Sequence, residues 1–196
     1  MLDSYRADSE AYLQVVRSLE IPLDLKHYER HYSPNTYRMH RAAGIPRARW
    51  KEIDKLWRRS YLSGEVALIP GARSVLRWLH RRFVLALVTS GNRSVVTGQL
   101  RQFGLINFFA ARVCSEDAPR RKPSPAPLLT AIRRLRVRPT ECLYVGDTAE
   151  DVEMAHRAGV RVVGVLGPFP THARLRSSRP DALIASVREI PNLLKT

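Results

Sequence analysis

The chain has 196 residues, of which 44% are hydrophobic and 26% charged. That is ordinary globular composition and excludes a fibre or a disordered tail. Its formal net charge is +15, and 28 of its 33 basic residues are arginine. The arginines are scattered, with only short pairs such as Arg58-Arg59 and Arg120-Arg121, and no zinc-finger spacing or aromatic–basic motif accompanies them; this weighs against nucleic acid. A diffuse positive field suits a small phosphorylated metabolite better. Two cysteines, Cys114 and Cys142, cannot make a disulfide framework, and both lie in apolar stretches, in keeping with a reducing cytoplasm. The longest apolar run, Phe83 to Val88, is too short to span a bilayer, and Met1–Arg6 has no signal-peptide core. The expectation is a cytoplasmic protein with no membrane partner; composition leaves its oligomeric state open.

From Ser9 to Val66 the apolar residues recur at helical spacing. Ala11, Tyr12, Leu13, Val15, Val16 and Leu19 form one stripe, which Ile21-Pro22 ends. Further helices are predicted around 27–31, 35–43 and 47–61, with breaks at Ser33-Pro34 and Gly44-Ile45-Pro46. The pattern changes at Ile69-Pro70-Gly71. Helices over 72–80, 94–103, 126–135 and 149–158 then alternate with short strands over 83–89, 111–114, 142–146, 161–166 and 182–185. Such alternation predicts an α/β fold with a Rossmann-like parallel sheet covered by helices on both faces. The expected domains are an all-helical module over 9–66 and an α/β core over 67–196, with residues 1–8 a remnant of that core.

In sheets of this kind ligands sit at the carboxyl ends of the strands. Thr89-Ser90-Gly91 follows the first core strand and opens a helix, so hydroxyl and backbone N–H groups there can grip an anion; the same residues also suit a helix N-cap. Lys122, between rigid turn residues in Lys122-Pro123-Ser124-Pro125, can hold a positive charge over a phosphate, or can be an ordinary loop lysine. Asp147 ends the strand over 142–146, and Asp151 follows one turn into the next helix. Two carboxylates this close suit Mg²⁺, although an acidic first turn also complements a helix dipole. Glu150 and Glu153 are read as solvated members of that turn, and Asp8 with Ser9 as an N-cap.

A Thr, a Lys and an Asp pair after successive strands, in this order, resemble the haloacid dehalogenase superfamily. Leu85-Ala86-Leu87-Val88-Thr89, Lys122-Pro123-Ser124-Pro125 and Gly146-Asp147-Thr148-Ala149-Glu150-Asp151 stand for its second, third and fourth motifs. The helical module stands at the position of its α-helical cap, and the look is that of the phosphoglycolate-phosphatase-like branch. The resemblance implies a Mg²⁺-dependent phosphatase acting on a small phosphomonoester through an aspartyl-phosphate. Catalytic roles fall to Thr89 and Lys122, substrate binding to Thr89, Ser90, Gly91 and Lys122, and metal binding to Asp147 and Asp151, with Asp151 also orienting Lys122. In the cap, Tyr32, Tyr37, Arg38, His40 and Arg41 are candidates for an anionic leaving group.

The family's first motif, Asp-x-Asp-Gly-Thr, is absent. Met1-Leu2-Asp3-Ser4 resembles the stretch just downstream of it, which implies that the central first strand and the nucleophile lie roughly five residues upstream. The sheet would then lack its middle, and the chain as given is expected to be inactive. A second reading is a non-enzymatic protein that keeps the phosphate and metal pocket as a binding or regulatory device.

Overall fold

The computed structural model describes residues 1–195. The chain divides into two compact units, Met1–Ile69 together with Pro168–Pro170, and Pro70–Gly167 together with the chain from Thr171 onward.

In the first unit a two-residue strand β1 (Leu2–Asp3) pairs antiparallel with β2 (Ala67–Leu68). Between them run α1 (Tyr5–Ser18), α2 (Leu25–His31), α3 (Thr36–Ala42) and α4 (Trp50–Leu62). The apolar stripe read from Ala11 to Val16 is the buried face of α1. It closes a core with Tyr28, Met39, Trp50, Ile53 and Phe169. The first helix begins at Tyr5 rather than Ser9, so Asp8 is no N-cap. Its carboxylate instead accepts a hydrogen bond from the Tyr28 hydroxyl, because a residue inside the first turn points across to the neighbouring helix. Residues 1–8 fall with the helices, not with the α/β unit.

The second unit alternates as read. Its elements are α5 (Ala72–His80), β3 (Ala86–Val88), α6 (Arg93–Gln102), β4 (Ala111–Val113), α7 (Ala126–Leu135), β5 (Leu143–Gly146), α8 (Ala149–Arg157), β6 (Arg161–Val165), α9 (His172–Ser177), β7 (Ala182–Ile184) and α10 (Ile190–Leu193). Every strand pair here is parallel, but there are two sheets: β3 beside β4, and β5-β6-β7. β3 and β5 share no ladder among the described residues. One apolar cluster, including Val88, Val113, Leu128, Val152, Met154 and Val162, backs both sheets. Among the described residues no helix is long and apolar enough to cross a membrane.

Candidate active site

The carboxyl ends of β3 and β5 and the loop before α7 bring Lys122 and Asp151 into one hydrogen-bonded network, which the Asp147 N–H joins at 3.3 Å from Asp151 Oδ2. Lys122, 6% exposed, places its Nζ 2.7 Å from Asp151 Oδ1, 2.9 Å from the Tyr144 hydroxyl and 3.2 Å from the Val88 carbonyl oxygen. An ammonium group has three donors, so this set uses them all. Tyr144 in turn donates to Asp151 Oδ1 at 2.9 Å.

Asp151 holds its position through the way α8 starts. Thr148 is the N-cap, and its hydroxyl accepts from the Asp151 N–H at 3.2 Å. Asp151 Oδ2 answers by accepting from the Thr148 N–H at 3.2 Å and the Thr148 hydroxyl at 2.8 Å. This is a capping box with Asp at its third position, and the other carboxylate oxygen is left to face Lys122. The strand beneath must leave room. A Cβ on Gly146 would stand 2.4 Å from Asp151 Cβ, closer than two carbons can approach, so only glycine lets the carboxylate lie over the end of β5.

The electrostatics follow from burial and pairing. Burial alone would raise the Asp151 carboxyl, but the Lys122 charge and the donors around it hold it below the ordinary carboxylate range. Lys122 is pushed the other way: burial would lower it, and Asp151 raises it well above an ordinary lysine. Asp147 contrasts with both. Burial raises its carboxyl, and the Asp151 charge adds to the rise. No other described residue donates a hydrogen bond to its side chain. Gly167 closes over it, a Cβ there falling 2.9 Å from Asp147 Oδ2, and Thr171 Oγ1 donates to its backbone carbonyl at 2.9 Å. A half-buried carboxyl without a donor and with a raised pKa is a group that a cation would relieve.

Thr89 follows β3 directly, its hydroxyl accepting from the Gly91 N–H at 3.1 Å. Thr89, Ser90 and Lys122 line one cleft together with Arg120, Arg121 and Pro127. The Ser90 hydroxyl is buried there without a hydrogen-bond partner, although buried polar atoms are almost always paired. The open hydroxyl makes the buried end of the cleft polar.

Two sequence expectations are corrected. Glu150 is not solvated: it is 2% exposed and paired with Arg174 of α9 at 2.9 Å, because the helix turns it toward a neighbour rather than outward. Glu153 does lie on the open face, 3.3 Å from Arg157 one turn on. Of the residues named in the helical unit, Tyr32 and His40 are buried in its core, His40 between the Tyr12 hydroxyl (3.2 Å) and Asp54 (3.4 Å). Arg38 and Arg41 are exposed, and Tyr37 stacks on Trp50 with ring centroids 5.0 Å apart.

Tyr144, Arg120 and Arg121 were not anticipated. For Tyr144 a signal existed. Residues two apart share a strand face, so its ring projects on the side where Gly146 admits Asp151.

Residues 1–165 match the model of the family described as haloacid dehalogenase-like hydrolase. The chain is 32% identical over 128 residues to a phosphoglycolate phosphatase of Nitrosococcus oceani, covering 65% of this chain and 57% of that protein. It is 34% identical over 122 residues to one from Pseudomonas putida, covering 62% and 45%. The chain thus spans about half the length of the curated relatives it matches. Among solved structures it resembles a hydrolase from Pseudomonas syringae, with a TM-score of 0.88, 23% identity and coverage of 100% and 93%. It also resembles a haloacid dehalogenase-like family hydrolase from Streptococcus pneumoniae, with a TM-score of 0.86, 20% identity and coverage of 99% and 93%.

Proposed function

Since the chain belongs to the haloacid dehalogenase-like hydrolase family, we propose that its α/β unit binds and neutralises the phosphoryl group of a small phosphomonoester in a Mg²⁺-dependent phosphatase. The observation that carries this reading is the cleft in which the unpartnered Ser90 hydroxyl and Thr89 lie beside Lys122. Thr89, Ser90 and the Gly91 region would present hydroxyl and N–H donors to phosphoryl oxygens. Lys122, held by Asp151 and Tyr144, would supply a fixed positive charge where negative charge develops. Asp151 is a positioning group here, since both of its oxygens already accept hydrogen bonds.

Asp147 is the carboxylate that fits Mg²⁺. It is a hard oxygen donor left open, and Mg²⁺ is commonly held by one or two carboxylates, with water and substrate phosphate completing its shell. Among the described residues no group of three or more His, Cys, Asp or Glu side chains could hold a metal, so Asp147 would bind the ion largely through such shared coordination. When bound, Mg²⁺ would neutralise charge on the phosphoryl oxygens.

The chain contains no Asp-x-Asp-Gly-Thr segment. In this reading the attacking carboxylate of an aspartyl-phosphate route comes from outside these 196 residues, which alone bind phosphate without turning over an ester. The substrate class of the named relatives, phosphoglycolate, is the first ester to offer. The test is calorimetric titration with inorganic phosphate, with and without Mg²⁺. Binding that strengthens with Mg²⁺, that Asp147→Asn uncouples from Mg²⁺ and that Thr89→Ala weakens supports the reading. Phosphate affinity indifferent to Mg²⁺ and to both substitutions overturns it. Binding without turnover once a nucleophile-bearing strand is supplied would favour the non-enzymatic alternative.

A further inference from the structure

The chain has six histidines, and other groups engage the ring nitrogens of four. His40 lies between the Tyr12 hydroxyl and Asp54, His80 and His172 meet the carbonyl oxygens of Phe108 and Gly167, and His156 stands 3.6 Å from Asp181. The remaining two, His27 and His31, face each other on α2, with ring centroids 4.5 Å apart and planes tilted by 40°. Neither ring hydrogen-bonds or pairs with another described residue. His27 Nε2 is buried without a partner, whereas buried polar atoms are almost always paired.

Residues four apart share one face of a helix, which is what brings these imidazoles together. Above pH 7 an ordinary imidazole is mostly neutral, and its free lone pair is the group that binds a metal ion. Ring nitrogens sit about 2.0–2.1 Å from such an ion, so two rings at a right angle on it have centroids about 4.5 Å apart, and at a tetrahedral angle about 5 Å. The observed separation is the right-angled one. Right-angled nitrogen sites suit Ni²⁺ and Cu²⁺, whereas Zn²⁺ favours a tetrahedron. The neighbouring carboxylates are taken: Asp24 caps α2 by accepting from the His27 N–H at 2.7 Å, and Glu29 accepts from the Tyr5 hydroxyl. We propose that His27 and His31 form a two-nitrogen chelating site for a divalent transition-metal ion of the Ni²⁺ and Cu²⁺ class, with water filling its other positions. The site belongs to the helical unit, uses nitrogen rather than oxygen, and does not depend on the phosphate-binding reading.

The test is calorimetric titration with Ni²⁺, a redox-inert probe, near pH 7.5 in the presence of excess Mg²⁺. The expected result is one tightly held ion per chain that Mg²⁺ does not displace, because Mg²⁺ demands oxygen ligands. His27→Gln and His31→Gln should each weaken binding about a hundredfold, as losing one arm of a chelate does. His80→Gln, which removes an exposed histidine elsewhere, and Asp147→Asn should leave it unchanged. Ni²⁺ should raise the melting temperature of the wild type and of neither α2 variant. A measurement that needs no substitution stands beside these: substoichiometric Ni²⁺ should broaden the imidazole proton resonances of His27 and His31 before those of the other four. Loss in only one of the two α2 variants, equal loss in His80→Gln, displacement by Mg²⁺, or broadening that begins at another histidine overturns the proposal. None of these outcomes touches the phosphate-binding reading, and failure to bind inorganic phosphate leaves the histidine site standing.

Discussion

The Tyr144 hydroxyl, on β5, lies 3.4 Å from the Val88 carbonyl oxygen at the end of β3, and these two strands belong to separate sheets. Lys122 Nζ reaches the same oxygen at 3.2 Å. A backbone carbonyl at a strand edge needs a donor, and here the Lys122 ammonium supplies it in place of a neighbouring strand. The residues that build the candidate site thus also tie the two sheets together.

Asp151→Asn should be strongly destabilising. It leaves the Lys122 ammonium buried without its counter-charge, a loss of about 3–5 kcal/mol for a broken buried pair. The Asp151→Asn, Lys122→Met double variant should recover part of that loss, since it removes the unpaired charge as well. Urea denaturation of the two variants measures both. Additive losses would show that the two groups are not energetically coupled.

Gly146→Ala should lower stability by about 1–3 kcal/mol, the usual cost of forcing extra atoms into a packed site. The new Cβ would have to displace Asp151, which it would otherwise meet at 2.4 Å. Gly98→Ala in α6 is the contrast: a Cβ there meets nothing within 4 Å, and alanine favours a helix interior by about 1 kcal/mol over glycine. The pair should move the melting temperature in opposite directions.

Asp8 gives the helical unit a pH dependence with a defined sign. Burial pushes its carboxyl up to about 6, against the pull of hydrogen bonds from Tyr28 and Trp57. A carboxyl raised in the fold binds its proton more tightly there than in the unfolded chain. Its contribution to stability is thus full below the unfolded value near pH 4 and is lost as the pH rises through about 6. Asp8→Asn should abolish this component. The difference in unfolding free energy between wild type and variant should therefore change between pH 4.5 and 7, and a constant difference would contradict the assignment. Carboxylates held low, such as Asp117 between Arg93 and Arg134, slope the other way in both proteins and cancel.

Amide hydrogen exchange should distinguish the strands. β6 has a partner on each side, whereas β3 and β5 each have one, and Val145 on β5 is 38% exposed. Amides of β5 that point away from β6 should exchange faster than any in Val162–Val165, as unpaired edge groups do. Equal protection across β5 and β6 would mean that the edge is covered.

The sequence made Thr89, Lys122, Asp147 and Asp151 legible because each follows an apolar strand, and strand ends are where an α/β sheet presents side chains. The order of elements was legible for the same reason, with boundaries shifting by a few residues at the strands. What stayed hidden depends on neighbours distant in the chain. Glu150 is buried because Arg174, in a helix the periodicity did not suggest, comes to meet it. Arg120 looked like one more scattered arginine, and only the fold sets it in the lining of the cleft. Asp8 looked like a cap because Ser9 follows it; the helix starts four residues sooner, at Tyr5.

The division into two sheets bears on how this unit comes together in time. β3, α6, β4 and α7 arise from residues 86–135, and β5, α8, β6, α9 and β7 from residues 143–184. Each sheet closes between segments near in sequence, and contacts of that kind form fast. The bonds from Lys122 to Tyr144 and Asp151 bridge the two halves and can be made only when both have docked. Interactions absent until that last step are absent from the transition state. Substitutions at Lys122 or Tyr144 should therefore leave the refolding rate nearly unchanged and speed unfolding, so the candidate site acts as the latch that keeps the halves from parting.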